Sequence, residues 1–363
     1  MTNAYLVLAN GALFAGTAIG ATKEVYGEVV FTTGMTGYLE TLTDPSYAGQ
    51  LVAQTFPLIG NYGTIEADLE SARVGAAAYI VHELCAHPSN FRNEGPLEDF
   101  LKKHDIPGIC GIDVRALTKM IREKGVMNGV LTSDPARVDL ARLQGYEVKG
   151  VVADRSTRVA VSLPKNKKSK YKVALLDYGY KENIRRELVA RGCDVTVLPQ
   201  DSKAAAILSG GYDGIMLSNG PGDPAENVNV IRELKTLVAS GIPLFGICLG
   251  HQLVALSQGF STQKLKYGHR GANQPVKCLT DGRVYITSQN HGYAVVNESI
   301  DTAAADLLYI NNNDGTCEGI AYKNAPVFTV QFHPEACGGP KDTGFLFDRF
   351  MSMMAKKPAA RRK

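Results

Sequence analysis

Cys248, His333 and Glu335 are the residues of this chain whose types and spacing could carry out covalent chemistry. Cys248 sits in Gly246-Ile247-Cys248-Leu249-Gly250, after a short apolar run and before apolar residues at helical spacing from Leu249 to Leu256. A G-x-C-x-G turn between a strand and a helix is the thiol analogue of the G-x-S-x-G elbow. Such a turn holds its nucleophile in a strained backbone conformation, and glycines on either side relieve the crowding. A nucleophile there meets a helix N-terminus, where unsatisfied N–H groups and the dipole favour a thiolate and an oxyanion. An isolated cysteine is more often a small buried apolar residue; the elbow and a matching base are what argue for attack on an acyl carbon.

His333-Pro334-Glu335 supplies that base. Proline biases the residue before it toward an extended conformation, and residues two apart in an extended segment point to the same side. Glu335 can then accept from one ring nitrogen of His333, fixing the tautomer and leaving the other nitrogen to take the thiol proton. Alone, the pair reads as a surface His-Pro turn. His291, in Gln289-Asn290-His291-Gly292-Tyr293, competes as the base but has no acid two residues away. The loop Gly220-Pro221-Gly222 is either a tight turn or a place where backbone N–H groups approach a ligand or an oxyanion.

The elements around these residues divide the chain. Residues 1–155 show strand-like runs (Ala4 to Leu8, Glu28 to Thr32, Leu51 to Phe56, Ala77 to Val81) with helices at Leu97 to His104 and Val114 to Lys124 interspersed irregularly, an α+β pattern. Asp113 is a natural N-cap for the second helix, and Asp44-Pro45-Ser46 signals a turn. His82, Cys85 and His87 invite a metal reading, but a fourth ligand is not evident and the segment is apolar and strand-like, so no metal site is expected. Residues 156–171 are expected to be a linker, since 162–172 carries five lysines and one proline. From Lys172 strands and helices alternate: Val173 to Leu176, Glu182 to Arg191, Asp194 to Leu198, Lys203 to Ser209, Gly214 to Leu217, Val228 to Ser240 and then the elbow. That alternation predicts a mostly parallel sheet with right-handed crossovers and a site outside the carboxyl ends of its strands, where the Gly220 loop and Cys248 both fall. Short strands are expected at Val276 to Leu279, Val284 to Ser288, Tyr293 to Val296, Leu308 to Asn311, Gly319 to Tyr322 and Val327 to Gln331. Asp342 to Met354 reads as a closing helix, ending a domain over 172–356, and 357–363 as a basic tail. The fold class is therefore α/β, with an N-terminal α+β domain before a C-terminal parallel-sheet α/β domain.

Composition bounds the function. With 45% hydrophobic and 21% charged residues the chain has ample core. A net charge of +3 does not by itself point to nucleic acid, and no nucleic-acid partner is expected. No apolar run approaches a membrane span and no signal segment opens the chain, so no membrane association is expected. Seven scattered cysteines without C-x-x-C pairs argue against zinc and a disulfide framework and for the reducing cytoplasm.

GICLGHQ around Cys248, SNGPGDP at Ser218 to Pro224 and FHPE at Phe332 to Glu335 together resemble the class I (triad) glutamine amidotransferase domain. TGMTGYLETLTDPSYAGQ (Thr33 to Gln50), PLIGNYG (Pro57 to Gly63), GICGIDVRALTKMIREKG (Gly108 to Gly125), GHRGANQPV (Gly268 to Val276) and TSQNHGYAV (Thr287 to Val295) are similar to the small-subunit family of glutamine-dependent carbamoyl phosphate synthetases. The resemblance covers nearly the whole chain. It implies that Cys248 forms a glutamyl thioester, that His333 is general base and then acid, and that Glu335 orients it. It implies an oxyanion hole near Leu249 and Gly222, and a glutamine site of Ser46, Gly220, Gly222, Leu249, Gln252, Asn290, Gly292 and Tyr293. It also implies a large partner subunit that binds ATP, magnesium and bicarbonate and receives ammonia through an internal passage, with arginine or pyrimidine synthesis as the outlet. No cofactor or metal is expected in this chain itself, which has no G-x-x-x-x-G-K-[ST] loop. Gln274 stands where some relatives carry histidine. The run Cys337-Gly338-Gly339-Pro340 departs from the family's small polar residues and adds a second candidate reactive thiol. A triad alone also permits a free-standing hydrolase of γ-glutamyl amides, against which the extra N-terminal domain argues, or a non-catalytic scaffold, against which the intact triad argues.

Overall fold

The computed structural model describes residues 2–162 and 169–356. Residues 163–168 of the expected linker and the basic tail 357–363 lie outside them. The chain divides into two compact units, Met1–Val151 and Val152–Lys363.

The first unit is built on a closed barrel of seven strands. Around the barrel they run Asn3–Leu8, Leu13–Gly20, Pro107–Cys110, Ala78–Ile80, Gln50–Gln54, Val25–Thr32 and Met127–Thr132, which pairs back onto Asn3–Leu8. Closure leaves no barrel edge open to pairing. Alternation sorts the side chains. Leu6, Leu8, Val29, Phe31, Leu51, Ala53, Ile80 and Ile109 pack with Leu117 and Ile121 of the helix Val114–Lys124. Val30, Val52 and Tyr79, on the alternate face, pack under Leu39, Leu42, Leu97 and Leu101 of two further helices. The expected cap is present: Asp113 accepts from the amide of Ala116 at 2.8 Å. So is the turn at Asp44, whose carboxylate accepts from the amide of Ser46 at 2.9 Å.

The second unit holds a ten-stranded sheet. Five strands form its parallel centre, in the order Cys193–Pro199, Tyr171–Asp177, Gly214–Leu217, Leu244–Ile247 and Val327–Val330. Both faces of these strands are covered, so they read as continuous apolar runs. In Tyr171–Asp177, Ala174 and Leu176 face helices Ala204–Ser209, Val228–Ala239 and Leu249–Ser257. Val173 and Leu175 face Glu182–Ala190 and Phe345–Ala355. Each fully buried leucine of this kind is worth about 1.5–3 kcal/mol.

Two segments differ from the sequence expectation. The short strands expected between 276 and 296 are parts of one hairpin, Thr262–Cys278 against Val284–Val295. Its register is broken between Lys264 and His269 and between Gly271 and Gln274; such irregularities interrupt the two-residue alternation by which a long strand is recognised. The described part of the expected linker belongs to the second unit. Thr157 donates its amide to Asp177 at 2.6 Å, and Val161–Ser162 pairs with Cys193–Pro199; Val152, expected in the first domain, also packs in the core of the second unit.

Candidate active site

Strand Leu244–Ile247 ends at Cys248, and helix Leu249–Ser257 begins directly after it. Between the two, Cys248 takes φ 53° and ψ −103°, a region costly for any residue with a side chain and found where a nucleophile is displayed. The flanking glycines are required by close approach. A Cβ on Gly246 would lie 3.0 Å from Gly250 and from Thr329, and one on Gly250 would lie 2.7 Å from Leu217. The amide of Gly250 donates to the carbonyl of Ser218 at 3.1 Å, drawing the Gly220 loop to the elbow. Leu249 opens the helix, so its amide has no acceptor within the helix and remains available to a developing oxyanion.

His333 follows the neighbouring parallel strand, Val327–Val330, by three residues. The amide of Cys248 donates to the carbonyl of Val330 at 2.8 Å, which fixes the elbow against the segment leading to His333. His333 Nδ1 lies 2.7 Å from Glu335 Oε1. A carboxylate can only accept, so Nδ1 carries the proton and Nε2 is the nitrogen left for the thiol. Nε2 is buried with no partner at hydrogen-bonding geometry, while interaction with Cys248 is among the influences acting on this imidazole. The Cys248 sulfur also lies 3.8 Å from the carbonyl of Asn290. All three triad side chains are buried.

A fourth charged group stands behind the dyad. The Lys181 ammonium lies 3.5 Å from Glu335 Oε1 and 3.2 Å from His333 Nδ1. Its backbone amide donates to the Asn219 side chain at 3.0 Å, so the SNGPGDP loop and the dyad are tied through one residue. Burial and Lys181 both oppose charge on His333; Glu335 and Cys248 outweigh them and raise its pKa. Burial likewise opposes ionisation of Glu335, and His333 and then Lys181 outweigh it, so the carboxylate is held below its ordinary value. An imidazole that favours its protonated form is a sink for the thiol proton and afterwards a donor to a leaving amine.

His291 does not compete for this role. Its Nδ1 lies 2.8 Å from the Tyr293 carbonyl and its Nε2 3.1 Å from Gln289 Oε1. Burial, followed by the charge of His269, pushes its pKa well below the ordinary imidazole value. Gln252 donates to the carbonyl of Tyr293 at 2.7 Å and to Gln331 at 2.9 Å, which joins the elbow helix to the strand carrying Asn290, Gly292 and Tyr293. Gly220 and Gly222 lie on the loop already drawn to the elbow. Ser46 is in the first unit, buried in the turn Pro45–Tyr47. In that unit His82 turns to the carbonyl of Ile112, 2.9 Å from its Nδ1. No helix among the described residues is long and apolar enough to cross a membrane.

Known proteins are similar to this chain along nearly its whole length. Residues 6–131 match the family described as carbamoyl-phosphate synthase small chain, CPSase domain, and residues 174–353 match glutamine amidotransferase class-I. A Bacillus cereus protein named carbamoyl phosphate synthase small chain is 50% identical over 351 residues, covering 96% of this chain and 95% of that one. Proteins of the same name from Clostridium perfringens (49% identical, 96% of this chain and 98% of that one) and Listeria monocytogenes (48% identical, 98% of each) are similar over nearly their whole lengths.

Proposed function

The chain belongs to the carbamoyl-phosphate synthase small-chain family and carries its glutamine amidotransferase domain; from that premise we propose that it hydrolyses glutamine at Cys248 and passes ammonia to a large chain. The name small chain implies such a partner. In this reading the Cys248 sulfur attacks the side-chain amide carbon of glutamine. His333 Nε2 takes the thiol proton and delivers it to the departing nitrogen, so ammonia leaves and a glutamyl thioester remains. The tetrahedral oxyanion is met by the amide of Leu249 and the Gly220-Pro221-Gly222 loop. Water, deprotonated by the same nitrogen, then cleaves the thioester to glutamate and restores the thiol.

The observation that carries this reading is the contact of Glu335 with His333 Nδ1, which leaves the buried Nε2 without a partner, together with Cys248 at a positive φ on a strand-to-helix elbow. Glutamine is held by Gly220, Gly222, Leu249, Gln252, Asn290, Gly292 and Tyr293. ATP, magnesium and bicarbonate are ascribed to the large chain, carbamoyl phosphate for arginine or pyrimidine synthesis is its product, and the cytoplasm is the compartment. The test is Cys248→Ser assayed with the large chain: glutamine-dependent synthesis is expected to fall to background while ammonia-dependent synthesis continues. Persistence of glutamine-dependent synthesis would remove Cys248 from the mechanism.

A further inference from the structure

His269 lies outside the triad and outside the residues ascribed to glutamine. On Thr262–Cys278 it stands opposite His291, within a block of three pairs that also joins Arg270 to Asn290 and Gly271 to Gln289. The register breaks on both sides of that block. Asn290, whose carbonyl faces the thiol, therefore sits in a stretch that no continuous ladder enters from either side.

Side chains hold that stretch instead. His269 Nε2 donates to Asp314 Oδ2 at 2.8 Å, and its Nδ1 lies 3.5 Å from Glu318 Oε1. Its ring stands edge-on to that of His291, with centroids 4.9 Å apart. Glu318 is fully buried and also accepts from Asn311 at 3.3 Å. Burial raises the pKa of Glu318, and His269 and Asn311 act against that rise. Burial opposes charge on the imidazole of His269, but Asp314 and Glu318 outweigh it and push its pKa up to about 9. Meanwhile the backbone carbonyl of Glu318 accepts from the amide of Gln331 at 2.9 Å, two residues ahead of His333. Glu318 thus reaches His269, on the strand paired with Val284–Val295, through its side chain, and the segment that carries His333 through its backbone.

We propose that His269, clamped between Asp314 and Glu318, is a positioning residue for glutamine, setting the offset between strand Val284–Val295 and the His333 segment and hence where Asn290 meets the thiol. The inference rests on the glutaminase reading of the same site. Displacement of a reacting group by about 1 Å costs up to a hundred-fold in rate, so a clamp one layer behind Asn290 acts on substrate placement without touching substrate.

The test assays this chain together with the large chain, using glutamine or ammonia as nitrogen source, for wild type, His269→Ala, Glu318→Ala and Glu318→Gln, with thermal unfolding of each. In His269→Ala the KM for glutamine is expected to rise about ten-fold or more, by a larger factor than kcat falls, while ammonia-dependent synthesis stays within about two-fold. Glu318→Gln, which keeps the shape and an acceptor, is expected to recover most of what Glu318→Ala loses. A glutamine KM within about two-fold of wild type in His269→Ala overturns the proposal. So does a parallel loss with both nitrogen sources and in unfolding temperature with no rescue by Glu318→Gln, since that describes support of the fold alone. A wild-type complex that uses ammonia but hydrolyses no glutamine overturns the underlying reading instead.

Discussion

The ammonium of Lys181 and the carboxylate of Glu335 act on His333 with opposite signs. Removing each is therefore expected to move the base in opposite directions. His333 loses its proton at higher pH when Lys181 is replaced and at lower pH when Glu335 is. In pH profiles of thioester formation the alkaline limb is expected to shift up in Lys181→Met and down in Glu335→Gln. Shifts of the same sign would dismiss the electrostatic account. Glu335→Gln is also expected to lower kcat by up to about 10⁴, since the acid holds the tautomer as well as the charge. The elbow at Cys248 and the contact of His333 with Glu335 were legible in the sequence because both are local signals: a turn around one residue, and an acid two positions from an imidazole. Lys181 was not. It acts on a residue 152 positions away, and a lysine before Glu182 at a helix start reads as solvated. The one available hint was its position just past the carboxyl end of Tyr171–Asp177, the rim where sites in such sheets form.

Among the elements, the strand-to-helix elbow tolerates least. A methyl group on Gly250 would meet Leu217 at 2.7 Å, and neither the strand below nor the helix above can yield without moving Cys248. Gly250→Ala is expected to destabilise the chain by about 1–3 kcal/mol and to abolish glutamine hydrolysis, measured by thermal unfolding and glutamate release. A variant of wild-type stability and activity would show that the elbow has slack. The parallel strands were legible because burial on both faces makes them continuous apolar runs. The hairpin Thr262–Cys278 and Val284–Val295 was not, because its breaks, Gly268, Gly271 and Pro275 scatter the alternation. Those same breaks leave room for the buried side chains of His269, His291 and Glu318 beside the site.

Across the whole molecule, the two fold classes were legible in the change of pattern from Lys172, but closure of the first unit into a barrel was not. Closure depends on pairing Asn3–Leu8 with Met127–Thr132, and no local pattern encodes a partner that far along the chain. Electrostatics at this scale predicts a window of stability. Burial disfavours charge on both His269 and Asp314, and their contact outweighs it. His269 is raised from 6.5 to about 9 in the fold, so its contribution is complete below 6.5 and lost as pH rises through about 9. Asp314 is depressed below 3.8, so its contribution is present above that value and lost as pH falls through the folded one. Asp314→Asn is therefore expected to cost most between about pH 4 and 6.5 and less well above about 9, where the charge of His269 is gone and the bond from the Thr316 amide remains. The loss is on the order of 1 kcal/mol or less, because that carboxylate is partly exposed. Urea unfolding at about pH 5.5 and 10 checks this, and an equal loss at both would reject it.

The bond from the amide of Cys248 to the carbonyl of Val330 has a consequence in deuterium oxide. That hydrogen can be replaced only when two central strands part, so it is expected to exchange among the slowest in the chain. Alkylating the sulfur leaves the bond intact and its protection unchanged. The thiol proposed as the nucleophile is thus carried by a backbone position that solvent is expected to reach late.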